Sequence, residues 1–131
     1  MRLWHISLIS RLPRKQLLGQ HRECCALRGM GWGRPHATVN YVFQHPYWWL
    51  WLYHLSVMDE MERRGYYVDR VWRQLKWRGK RVGFDNSRLT KIAGTLAPDS
   101  DRPFGEIIYP EHDEKYLNEC LENLRRKGIE L

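Results

Sequence analysis

Acidic side chains are almost missing from the first part of this chain: Glu23 is the only Asp or Glu before Asp59. Over residues 1–35 it stands against Arg2, Arg11, Arg14, Lys15, Arg22, Arg28 and Arg34, and residues 36–58 carry no Asp, Glu, Lys or Arg. Cysteine is also scarce, with Cys24 and Cys25 adjacent, Cys120 distant and no CxxC pair. That excludes a disulfide framework and fits a reduced, cytosolic chain. His21 near Cys24 and Cys25 matches no usual zinc spacing, so the cysteines are expected as small buried helix residues and no metal is expected. Long apolar runs are lacking too. Asn40, Gln44, His45 and Pro46 interrupt the uncharged stretch, and the remaining apolar part, Tyr47 to Met58, is well short of the ~20 residues that span a bilayer. The opening MRLWHISLISRLPRK has no continuous apolar core and no small-residue cleavage site, so it does not read as a signal peptide.

What is present describes a packed domain. A length of 131 residues, 43% hydrophobic content and seven Trp predict one compact domain over residues 1–131 rather than a disordered chain. The net charge of +7 is unevenly distributed. Residues 59–103 hold eleven basic and seven acidic residues, and residues 104–131 hold four and seven. A basic first half with a mildly acidic tail points to a polyanionic partner, nucleic acid first among them.

The element pattern is all-α: three main helices joined by long loops. Pro13 suits the start of a helix that runs to about Arg28 and stops at Gly29. On it Leu17, Leu18, Cys24 and Cys25 form the expected core stripe. Glu23 falls roughly opposite, beside Gln16, Gly19, Gln20 and Ala26, where periodicity alone makes it a solvated glutamate. GMGWGRPHATVN reads as a glycine-broken connection. A second helix is expected from Pro46 to Gly65, apolar on nearly all sides in its first half, with Trp48, Trp49 and Trp51 read mainly as core. A short helix over Val68–Gln74 follows. KWRGKRVGFDNS is then a basic, glycine-punctuated loop with Lys76, Arg78, Lys80 and Arg81, a reasonable phosphate contact and equally a simple exposed turn. Residues 94–105 read as a mobile loop or an insertion. A last helix opens at Pro110, carries Tyr116, Leu117, Cys120, Leu121 and Leu124 on its apolar face, and ends at Gly128.

LLGQHRECCALRG followed by HPYWWLWLYHLSVMDEMERRGY resembles the pyrimidine-dimer DNA glycosylase (phage endonuclease V-like) family. The resemblance rests on an Arg-containing N-terminal segment of strand-like character, Leu17 with the Arg22–Glu23 pair, and a helix closing in Arg64, Gly65 and Tyr66. It covers roughly residues 1–67, and the whole chain looks closer still to a bacterial branch of that family. What it implies is a helical DNA repair enzyme in which an N-terminal amine attacks C1′ of a damaged nucleotide, displaces the base and forms an imine. A glutamate then assists β-elimination. Glu23 matches that glutamate and Arg22 the arginine before it.

The chemistry suits the residue types. Reference pKa values of ~7.7–8.0 for an α-amine and ~10.4 for Lys leave roughly a third of α-amines neutral near pH 7.4, against about one Lys in a thousand. Arg2 and Arg22 nearby favour the neutral amine further. A carboxylate opposite the developing cationic sugar stabilises it and can move protons in the elimination. Two features depart from the family pattern. Arg2 is too bulky for ordinary methionine removal, so Met1 is expected to stay and to present the amine itself. The chain also ends in RRKGIEL where the family's type member has an aromatic-rich tail.

The expectation is therefore a monomeric, cytoplasmic, nucleoid-associated glycosylase and abasic-site lyase that acts on damaged or abasic duplex DNA without a metal or organic cofactor. Met1 and Glu23 are its catalytic pair. Arg2, Arg22, Arg28 and His21, with Lys80 and Arg81 further out, are its substrate contacts. His5 and His21 are expected mainly as packed or hydrogen-bonded histidines. The competing readings are a non-catalytic nucleic-acid-binding module on the same fold and a small protein-interaction domain whose charge only aids solubility.

Overall fold

The computed structural model describes residues 2–36, 38–90 and 108–131, so Met1 and the 94–105 loop lie outside the described residues. Three α-helices dominate: α1 (Arg14–Arg28), α2 (Tyr47–Arg63) and α3 (Glu114–Arg126). Among the described residues there is no strand, only an isolated bridge between Trp77 and Phe84. The all-α expectation holds, and the first two helices fall close to the bounds read from sequence.

Three local readings change. The N-terminal segment expected to be strand-like is a 3₁₀ helix, Ile6–Arg11, started by the His5 ring, which accepts from the Ser7 N–H. Val68–Gln74 contains only a 3₁₀ turn, Arg70–Arg73. The last helix begins after Pro110, because Asp113 is its N-cap and accepts from the Tyr116 N–H at 2.8 Å.

The helix ends follow from backbone chemistry. α2 and α3 close with the same motif. Gly65 and Gly128 adopt φ of +83° and +80°, and the next residue donates back five positions, Tyr66 to Met61 and Ile129 to Leu124. Gly29 after α1 serves a different purpose, since its φ of −93° suits any residue. A Cβ there would lie 2.9 Å from the Arg78 carbonyl oxygen, so glycine lets the 76–84 loop press against the helix end.

The core lies where α1 and α2 cross and the N-terminal segment folds over them. Leu17, Cys24 and Leu27 of α1 meet Leu50, Tyr53, Val57, Met58 and Met61 of α2, with Leu3, Trp4, Leu8, Ile9 and Leu12 as a lid. α3 contributes Cys120 and Leu124, while Tyr116, Leu117 and Leu121 pack at its margin. Trp48 is buried, whereas Trp49 and Trp51 are half-buried and the Trp51 indole N–H donates to the Arg73 carbonyl.

Candidate active site

Gln20 organises the region around Glu23. Helical spacing put it on the solvent side, yet it is 1% exposed. Its Oε1 accepts from the Trp4 N–H at 2.6 Å, and its Nε2 donates to the Arg2 carbonyl at 3.0 Å. The Tyr53 hydroxyl lies 2.6 Å from the Trp4 carbonyl and 2.9 Å from the same Gln20 oxygen. Tyr116 of α3 adds a hydrogen bond to the Leu3 carbonyl. The backbone of residues 2–4 is thereby tied across α1, one turn before Glu23. A polar side chain buried on a helix is tolerated when its groups are matched in this way.

That tie forms one wall of a cavity of about 470 Å³ lined by Arg2, Trp4, Lys15, Gln16, Gly19, Gln20, Arg22, Glu23, Thr38, Asn123 and Lys127. Among the described residues Glu23 is its only acid, set among Arg2, Lys15, Arg22 and Lys127. The carboxylate is half-buried, and its Oε2 is buried with no hydrogen-bond partner among the described residues. Gly19 sits beside it, and a Cβ there would meet nothing nearer than the Arg22 guanidinium at 3.9 Å. Arg2 lies over the Tyr116 ring at 5.6 Å and Lys127 over the Trp4 ring at 5.2 Å, so aromatic faces hold two of the cations at the rim. The arrangement can take an anionic ligand beside the Glu23 carboxylate.

The sequence-predicted residues divide into three groups. Arg2, Arg22 and Glu23 meet in this cavity. Lys80 and Arg81 do not, and line a second cavity farther along α1. Arg28 is the clear correction, because it is fully buried and its N–H groups are all engaged by the protein. Nε donates to the Tyr47 hydroxyl, Nη1 to the Trp72 carbonyl and to His54, and Nη2 to the carbonyls of Gln74 and Trp77. Nothing is left for a phosphate. Arg28 instead fastens the 72–77 segment onto α1 and α2. An arginine with five internal acceptors cannot be inferred from helical spacing.

His21 also turns inward. Its Nδ1 is 2.8 Å from Nε2 of His54, whose Nδ1 is 2.8 Å from Nη1 of Arg28. A guanidinium only donates, so His54 carries its proton on Nε2 and passes a hydrogen bond to His21. His21 Nε2 then lies 3.8 Å from the Cys25 sulfur. Burial, reinforced by Arg28, holds His54 well below the usual histidine range, and burial with Arg22 and Arg28 lowers His21. Burial pushes the Cys25 thiol up to about 12. His21, Cys25 and His54 bring their ligand atoms within 4.8 Å of one another, a spacing able to hold a metal. The proton on His54 Nε2 and the adjacent guanidinium make this a chain of neutral hydrogen-bonded groups instead. His5 packs at 5.7 Å against the buried His112 and does not line the cavity.

Sequence reasoning missed Gln20, Tyr53, His54, Asn123 and Lys127. The last two arrive from α3 and its end, and nothing near Glu23 in the chain announces them.

Neither a curated protein nor a solved structure matches this chain. A family model described as pyrimidine dimer DNA glycosylase matches residues 1–74, the stretch that supplies Arg2, Gln20, Arg22, Glu23, Tyr53 and both helices that hold them. Over more than half its length, and across most of the basic cavity, the chain belongs to the pyrimidine dimer DNA glycosylase family.

Proposed function

We infer that the chain excises damaged pyrimidines from duplex DNA and then cuts the strand at the abasic site. The α-amine of Met1, which lies outside the described residues, is the proposed nucleophile. It forms a bond to C1′ while the base leaves with the electrons of the glycosidic bond and takes up a proton. The sugar ring opens to a protonated imine, and removal of a C2′ proton then forms the C2′–C3′ double bond. The bond to the 3′ oxygen breaks and the phosphate leaves. Glu23 stabilises the cationic sugar and moves the protons. Arg2 and Arg22 hold the flanking phosphates.

The observation that supports this reading is the buried Oε2 of Glu23, which among the described residues has no hydrogen-bond partner and belongs to the only acid in a cavity with four cations. Gln20 also ties the Arg2 backbone, and Arg2 lines the same cavity. The test is borohydride trapping on duplex DNA with a single abasic site. The expected result is a covalent protein–DNA adduct and strand cleavage, with Glu23→Gln slowing cleavage about 10²–10⁴-fold, the usual range for an acid–base group. Blocking the α-amine should remove the adduct. An adduct that survives the block would overturn the amine's role. Binding without any cleavage would instead favour a non-catalytic nucleic-acid-binding module.

A further inference from the structure

Lys80 and Arg81 border a second cavity, of about 540 Å³, lined also by Cys25 and Ala26 of α1, Gly29 just after it, and Trp72. Its rim is basic, with Arg34, Lys80 and Arg81, and among the described residues its lining contains no acid. The shape depends on two glycines. Gly29 admits the Arg78 carbonyl, and Gly79, at φ +94°, puts its open side 3.3 Å from the Trp72 ring as a Cβ would measure it. Arg78 is a structural group here, donating to the carbonyls of Arg28 and Gly29 and to Asp85. Lys80 and Arg81 sit exposed on the turn that Arg78 anchors, and neither has an ion pair among the described residues.

The two cavities form one line. Gln16, Gly19 and Glu23 line the first and Ala26 and Gly29 the second, three or four residues apart, so they share one stripe of α1. The loop after α1 continues the wall, with His36 on the second cavity and Thr38 on the first. From Glu23 to Gly29, just past the helix end, the chain advances about 9 Å at ~1.5 Å per residue. That is about three base steps of a strand at ~3.4 Å each.

We propose that the second cavity binds the sugar–phosphate strand about three nucleotides from the nucleotide held at Glu23. Phosphates lie on Lys80 and Arg81, and sugars lie against the apolar part of the lining. The inference rests on the DNA repair reading of the first cavity. Positive charge without an acid selects an anion, and continuity with the Glu23 cavity selects the same strand. Lys80 and Arg81 fall beyond the residues matched by the family model, so the family match does not supply this contact.

The test compares the full chain with Lys80→Ala/Arg81→Ala on two abasic duplexes, one with twelve base pairs either side of the lesion and one with two. On the long duplex the variant should bind about 10- to 60-fold more weakly near 0.1 M salt, and its salt slope should fall by about 2, close to one per lost phosphate contact. On the short duplex the two proteins should bind alike. Lys80→Arg/Arg81→Lys should restore the slope. Equal affinity on the long duplex, or an equal loss on the short one, overturns the proposal. Cleavage by the wild-type protein reports separately on the first cavity. Cleavage with an unchanged variant slope removes the second site alone, whereas a lost slope without cleavage removes the enzyme reading alone. Failure of the wild-type protein to bind either duplex removes both.

Discussion

Replacing Gln20 by leucine isolates the contact that ties the N-terminal segment to α1. Leucine keeps the shape of the side chain and removes three polar contacts. The losses are unequal. The Arg2 carbonyl is only part-buried, so water can replace Nε2. The Tyr53 hydroxyl keeps the Trp4 carbonyl at 2.6 Å. The buried Trp4 N–H loses its 2.6 Å acceptor and has no other partner in its place. An orphaned buried donor costs about 1–3 kcal/mol. At roughly 4 °C per kcal/mol for a domain of this size, Tm should fall by about 4–12 °C. The kinetic effect should be larger than the structural one. A displacement near 1 Å between reacting groups costs ~10²-fold, so single-turnover imine trapping, measured 20 °C below the variant's Tm, should slow by about that factor. The affinity for duplex DNA should change little, because no phosphate-binding cation is removed. A lowered Tm with an unchanged trapping rate would refute the argument, since Gln20 would then hold the fold together without positioning the reacting end. An unchanged Tm would refute the hydrogen-bond network itself.

Two further outcomes follow from buried polar groups elsewhere. Arg28→Leu leaves the carbonyls of Trp72, Gln74 and Trp77 and the His54 ring without their donor, a loss of roughly 2–4 kcal/mol after allowing for solvent access to the loop. Protease cleavage should then begin in the 72–78 segment, and initial cleavage elsewhere would count against this role. Acid should destabilise the protein early. Burial lowers His112 to about 3, and it also lowers His5, His21 and His54, so below about pH 6.5 the unfolded chain binds protons that the folded one refuses. The stability held above that pH is lost as pH falls towards 3, at about 1.4 kcal/mol per pH unit for His112 alone. The urea midpoint should drop steadily from pH 7 to pH 5, and a flat midpoint would contradict these burials.

The parts of this fold written in local chemistry were legible before the structure. Pro13, Pro46, Gly65 and Gly128 punctuate the helices because fixed φ, missing N–H groups and positive φ act within a few residues. The isolation of Glu23 could be read from charge alone, and Arg2, Arg22 and Glu23 do meet in one cavity. The failures share one cause. Gln20, Arg28 and His54 owe their burial to partners 16 to 49 residues away, and helical periodicity carries no record of such partners. An arginine on an otherwise basic helix therefore reads as a phosphate ligand until its acceptors, all backbone or neutral groups, come into view.

Unsatisfied polar atoms separate the cavity at Glu23 from the rest of the protein. Among the described residues three buried side-chain atoms lack a partner: Arg73 Nε, the Tyr109 hydroxyl and Glu23 Oε2. The first costs little, since the same guanidinium already meets Asp59 and Glu62 through Nη2. The second is a neutral group packed among the Tyr41, His45, Trp49 and His112 rings. Glu23 differs in kind, because a carboxylate oxygen loses more on burial than a neutral hydroxyl and four cations line the same cavity. Selection for stability alone would close that gap or replace the acid. Glu23→Gln should therefore leave Tm unchanged or raise it while cleavage collapses, the opposite of what a glutamate retained for folding would do.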